Sequence, residues 1–137
     1  MSNLDKFFTA YEEAFSAPDT DAIARAYAPS FMMSSPTNVS CITNDHRFRS
    51  VLMQAAAFYP GIGMHSARIL MKSEIRIDDI HTMIDTEWGL YRGDGSELVR
   101  YNVAYMVRIG ETLPEIVFVI ARNEEERLRE RGLILES

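Results

Sequence analysis

The stretch SARILMKSEIRIDDIHTMIDTEWGLYRGDGSELVRYNVAYMVRIGETLPEIVFVIAR, residues 66–122, decides the fold. Its apolar residues recur every second position: Ala67, Ile69, Met71, Ile75 and Ile77 alternate with Arg68, Lys72, Glu74 and Arg76. The same period returns in Val99, Tyr101, Val103, Tyr105, Val107 and Ile109. Alternation of this kind marks half-buried strands. Turns fall at Asp78-Asp79, at Gly93-Asp94-Gly95 and around Gly110 to Pro114, and the middle one carries the Asp-Gly hairpin signal. Four consecutive strands are therefore expected. By parity Thr82, Ile84, Thr86, Trp88 and Leu90 face inward, and Asp85 and Glu87 face out. In the last strand Ile116, Phe118, Ile120 and Arg122 are assigned to the inner side, and Val117, Val119 and Ala121 to the outer.

The chain before this stretch has the period of helices. Leu4, Phe7, Phe8, Tyr11, Ala14 and Phe15 form one apolar stripe over residues 2–15, with Asp5, Lys6, Glu12 and Glu13 opposite. Pro18 ends that helix, and a second is predicted over Asp21 to Ala28, stopped by Pro29. Phe31 to Ser35 reads as a short strand and Pro36 to Cys41 as loop. Thr43 or Asn44 caps a third helix to about Tyr59, with Phe48, Val51, Leu52, Ala55 and Phe58 as its stripe. Asn123 opens a short final helix. Glu124, Glu125 and Glu126 at its start and Arg127, Arg129 and Arg131 toward its end match the helix dipole and read as a solvated face, with Gly132 as the terminating residue.

Composition sets limits. The 137 residues make one domain, 1–137, long enough to bury roughly two-thirds of the unfolded surface. Hydrophobic residues are 47% and charged residues 25%, as in ordinary globular proteins. A net charge of −6 and a pI near 5.0 argue against nucleic acid and anionic membranes as partners. The lone Cys41, the plain N-terminus and the lack of a long apolar run point to a cytoplasmic location. Histidines at 46, 65 and 81 have no metal-ligand spacing, and no Gly-rich phosphate loop follows a strand, so no metal or cofactor is expected.

The order of elements resembles the nuclear transport factor 2-like superfamily, which includes ketosteroid isomerases and SnoaL-like cyclases. The residues that carry the resemblance are Tyr11, Asp19-Thr20-Asp21, Tyr27-Ala28, Ser35-Pro36, Thr86-Glu87-Trp88, Gly93-Asp94-Gly95 and the strand Ile116 to Ile120. The resemblance implies an α+β fold, a cone-shaped barrel in which three N-terminal helices pack on a strongly curved, mostly antiparallel sheet. It also implies that Tyr11 and Tyr105 are donors to a substrate oxygen. The isomerases' basic Asp matches Ser35 here, and a hydroxyl cannot take a carbon-bound proton near neutral pH.

Two functions follow as expectations. One is a pouch for a small apolar or aromatic molecule, lined by Met33, Ser35, Phe58, His65, Trp88, Tyr101 and Phe118, with Arg122 at its open end. The other is a cofactor-independent isomerase, cyclase or dehydratase using Tyr11 and Tyr105 with a histidine base, His46 or His65. A titratable group inside the pouch near a tyrosine hydroxyl would separate them. The last strand is apolar on both faces, so a homodimer formed sheet to sheet is expected.

Overall fold

Helix α1, Asn3–Ser16, starts at a reciprocal cap: the Ser2 hydroxyl accepts from the Asp5 backbone, and the Asp5 carboxylate accepts from Ser2. It buries Leu4, Phe8, Tyr11 and Ala14. Helix α2, Thr20–Arg25, is capped by the Asp19 carboxylate, which accepts from the Ala22 amide. The computed structural model describes residues 2–135. After α2 the order is β1 Tyr27–Ser34, β2 Val39–Thr43, α3 His46–Gly61, β3 Ser66–Arg76, β4 His81–Tyr91, β5 Glu97–Arg108, β6 Glu115–Ala121 and α4 Glu124–Glu130. Among the described residues no helix is long and apolar enough to cross a membrane.

The strands form one six-stranded sheet in the order β2-β1-β6-β5-β4-β3. Every pairing is antiparallel except β1 with β6. The fold is α+β as expected, but the sheet is open and not a closed barrel: β2 and β3 are edges. Helix α1 shields the β3 edge. Ser16 Oγ accepts from the Ala67 amide at 3.0 Å, and Glu12 Oε2 from the Ile69 amide at 2.7 Å. Over this first part of β3 the satisfied donors make the edge a poor template for another chain.

Three sequence expectations change here. The second helix is shorter than Asp21 to Ala28, because the chain enters β1 at Tyr27. Pro29 lies in an irregular stretch of the β1–β6 pairing, between Tyr27 and Met32, where no ladder donor is needed. Residues 39–41 belong to β2 and not to a loop, since β1 needs an antiparallel neighbour. Asp45 caps α3, accepting from the amides of Arg47 and Phe48, while Asn44 donates instead to the carbonyls of Ala24 and Tyr27.

Bulges reset which side chains face in. In β3, Ile69 pairs with Trp88 but Met71 pairs with Glu87, so Leu70 is the extra residue. Beyond it Met71 and Ile75 lie on the outer face, 69% and 61% exposed. In β6, Met106 pairs with Phe118 and Val107 with Ile116, so Val117 is the extra residue. Ile116 and Val119 are buried, and Phe118 and Ile120 turn outward, the reverse of simple alternation. The outer face then presents one row across all six strands: Ile75, Met83, Met106, Phe118, Met32 and Cys41 are successive cross-strand partners. The inner face carries the core, in which Phe8, Ile84, Trp88, Leu90, Val99, Val107 and Ile116 are almost wholly enclosed.

Candidate functional site

Between the helices and the inner face lies a cavity of about 210 Å³. Helix α1 contributes Tyr11 and Phe15, α2 Ile23, β1 Tyr27 and Met33, and α3 Phe48, Leu52, Ala55 and Tyr59. The sheet adds Trp88, Tyr101, Val103, Tyr105, Val119 and Ala121, and the first residue of α4 adds Glu124. The cavity reaches the surface by α3 at Val51, which is 58% exposed. Its walls are mostly apolar with few polar groups, the usual character of a small-molecule site.

Those polar groups are unusual in kind. Of six tyrosines in the chain, five line this one space. Tyr11 lies edge-on to Trp88, Tyr27 and Tyr105, with ring centroids 6.1, 6.1 and 5.8 Å away. Its hydroxyl is 2.6 Å from that of Tyr27. Trp88 Nε1 donates to the Tyr105 hydroxyl at 3.1 Å, which leaves the Tyr105 proton free to point elsewhere. Burial is the main reason that Tyr11, Tyr27, Tyr59, Tyr101 and Tyr105 all hold their protons well above the usual phenol range. Each therefore stays a neutral phenol at any ordinary pH.

Among the described residues Glu124 is the one acid in the lining. Its Oε2 accepts from the Tyr59 hydroxyl at 2.5 Å. Burial raises its pKa, and the Tyr59 bond partly opposes that rise. The side chain reaches this place because Asn123 anchors the strand-to-helix turn. Asn123 Oδ1 accepts from the Asn102 amide at 2.7 Å, and Asn123 Nδ2 donates to Asn102 Oδ1 at 3.0 Å. Asn123 makes no side-chain cap to α4. The acidic run is thus split: Glu125 and Glu126 are exposed and Glu124 is half-buried and turned inward, contrary to the expectation of a wholly solvated face.

Tyr11, Met33, Trp88, Tyr101 and Tyr105 lie together in the cavity lining. Six other candidates lie elsewhere. His46 is exposed in the first turn of α3, where Asp45 and not a pocket is its neighbour. His65 is exposed at the entry to β3 beside the Gly93 hairpin, its amide bonded to the Tyr91 carbonyl. Ser35 is held in the β1–β2 turn by Thr37 and Asn38. Phe58 is 38% exposed, because the 3.6-residue period of α3 brings Tyr59 to the cavity instead. The Val117 bulge carries Phe118 and Arg122 to the outer face, where Arg122 Nη1 meets Asp85 at 2.6 Å and not the acidic turn. Glu124, Tyr27 and Tyr59 complete the site. Only Tyr27 had a signal in the sequence, as part of the Tyr27-Ala28 pair.

Similar folds occur in solved structures. An NTF2-like protein with a cystatin-like fold from Novosphingobium aromaticivorans has a TM-score of 0.70 at 8% identity, over 98% of this chain and 88% of that one. An NTF-2 like protein of unknown function from Shewanella oneidensis MR-1 has a TM-score of 0.67 at 16% identity, over 88% and 96%. A ketosteroid isomerase-like protein from Erwinia carotovora atroseptica has a TM-score of 0.64 at 11% identity, over 86% and 91%. At such identities the likeness is one of fold. No curated protein matches the chain. A family model described as NTF2-like protein (DUF6841) matches residues 2–124, from the cap of α1 to the inward acid Glu124, and the chain belongs to that family.

Proposed function

We propose that the protein binds a small, apolar or aromatic molecule in the cavity between its helices and sheet. The observation that carries this reading is the lining itself: aromatic and aliphatic walls, five tyrosines and one carboxyl group around about 210 Å³. A thermal-shift screen of small aromatic alcohols, ketones, amines and acids tests it. A ligand at 100 times its dissociation constant raises stability by about 2.7 kcal/mol. A screen in which no compound of these classes shifts the melting temperature defeats the reading.

A second reading is proton transfer without a cofactor, and the contact between Glu124 and Tyr59 favours it. The carboxylate takes a proton from a carbon beside a carbonyl, and the Tyr105 hydroxyl, already accepting from Trp88, donates to the carbonyl oxygen. Glu124 replaces the histidines as base in this reading, because His46 and His65 are exposed and lie outside the lining. Deuterium uptake from heavy water into 2-tetralone, present with the wild type and absent with Glu124→Gln, would support it.

For the assembly we propose a homodimer through the outer sheet face, with the row from Ile75 to Cys41 as its centre. Ile75 is 61% and Met32 36% exposed in the single chain, and a contiguous apolar row of this kind is stabilised by a partner surface.

A further inference from the structure

Among the described residues the cavity lining has one carboxyl group and no cationic side chain: no Lys, Arg or His lines it. A carboxylate in apolar surroundings is costly unless an opposite charge or several donors meet it. Glu124 has a single hydrogen-bond donor, the Tyr59 hydroxyl. The cations closest in sequence are engaged outside. Arg122 pairs with Asp85 at 2.6 Å, Arg127 with Glu130 at 3.4 Å, and Arg129 with Glu125. With the protein's own cations engaged there, a ligand is the available source of counter-charge.

The remaining lining suits the same ligand. Tyrosine hydroxyls have lone pairs that accept N–H groups, and aromatic rings attract cations. A carboxylate or phosphate ligand would instead meet Glu124 with like charge and find no cation to hold it. Deepening the small-molecule reading, on which it rests, we propose that the cavity takes a small protonated amine with an apolar or aromatic body, its ammonium donating to the Glu124 carboxylate.

The charged and titratable groups that bear on Glu124 are Tyr59 from α3, Tyr27 from β1, and Tyr101 and Tyr105 from β5. All four phenols remain neutral, so Glu124 alone sets the acidic limb of binding. Affinity rises with pH as Glu124 loses its proton, then falls as the amine loses its own.

Titration calorimetry on the full chain with 2-phenylethylamine, 2-phenylethanol and 3-phenylpropanoate tests this. The wild type is expected to bind the amine at least about tenfold more tightly than the alcohol, the worth of a charge-assisted hydrogen bond. The acid should not bind. Glu124→Gln should lose the preference for the amine over the alcohol, while Tyr59→Phe, which keeps the carboxylate, should retain it. Equal binding of amine and alcohol to the wild type, or a preference that survives Glu124→Gln, overturns the amine assignment and leaves the small-molecule reading standing. Binding of none of the three overturns the amine assignment, and the thermal-shift screen then decides the small-molecule reading.

Discussion

Glu124 is the residue on which the site's chemistry turns, and pH tests its placement. Burial raises its pKa from the ordinary 4.5, so the folded protein holds this proton more tightly than the unfolded chain does. Over the interval from 4.5 to the raised value, the folded state carries the extra proton, and stability falls as pH rises. Denaturation across a pH series should show that decline in the wild type, and Glu124→Gln should remove this contribution. An unchanged pH dependence in the variant would place the carboxyl in water. Trp88 is the anchoring residue of the same wall, 1% exposed and in contact with Phe15 and Tyr11. Trp88→Ala should cost about 3–5 kcal/mol in urea denaturation, the usual loss for a large core aromatic. The roles of these two residues were unequally legible. Trp88 announced itself by parity with Ile84, Thr86 and Leu90. Glu124 did not, because it sits in a run of three identical acids and its direction depends on how Asn123 and Asn102 meet.

At the scale of elements, α1 does more than cover the sheet. Its Glu12 and Ser16 terminate an edge strand by accepting the amides of Ile69 and Ala67. Glu12→Ala should remove about 1 kcal/mol of stability and speed amide exchange at Ile69 more than at central strands, as read by NMR. Helix α3 depends on Asp45, which accepts two amides of its first turn. Asp45→Ala should cost about 1 kcal/mol in thermal denaturation, and Asp45→Asn much less. The Ser2–Asp5 cap of α1 is a local Ser-x-x-Asp pattern, because both partners lie within four residues. The cap of α3 was displaced by one position because Asn44 is recruited by Ala24 and Tyr27, distant contacts that no local pattern reports.

For the whole molecule, the proposed homodimer turns on the outer face of the sheet. The row Ile75, Met83, Met106, Phe118, Met32 and Cys41 runs the full width of the sheet. Light scattering at micromolar concentration should give a dimer, and Phe118→Glu should give a folded monomer. A wild-type monomer would sink the sheet-to-sheet dimer. That one face of the sheet would be apolar on its outer side was readable from the last strand, in which Ile116 to Ile120 has no polar residue. Which residues form that side was not, since the side chains swap faces at Val117.

The amino-acid sequence by itself determined most element types, the inward set of β4, and the tyrosines at 11, 101 and 105, with the curved α+β plan given by the superfamily resemblance. The elements and the inward set follow from short-range periods of 2 and 3.6 residues, which the backbone imposes wherever it is regular, and the places of Tyr11 and Tyr105 follow from the resemblance. The tertiary structure alone decided the open sheet, the reversed faces of β6 beyond Val117 and of β3 beyond Leu70, and the entry of Glu124 and Tyr59 into the cavity. A bulge is an agreement between two strands far apart in the chain, and one extra residue exchanges every face that follows it. An acid enters an apolar chamber only when a distant hydroxyl is there to meet it, and that meeting exists only in the folded chain.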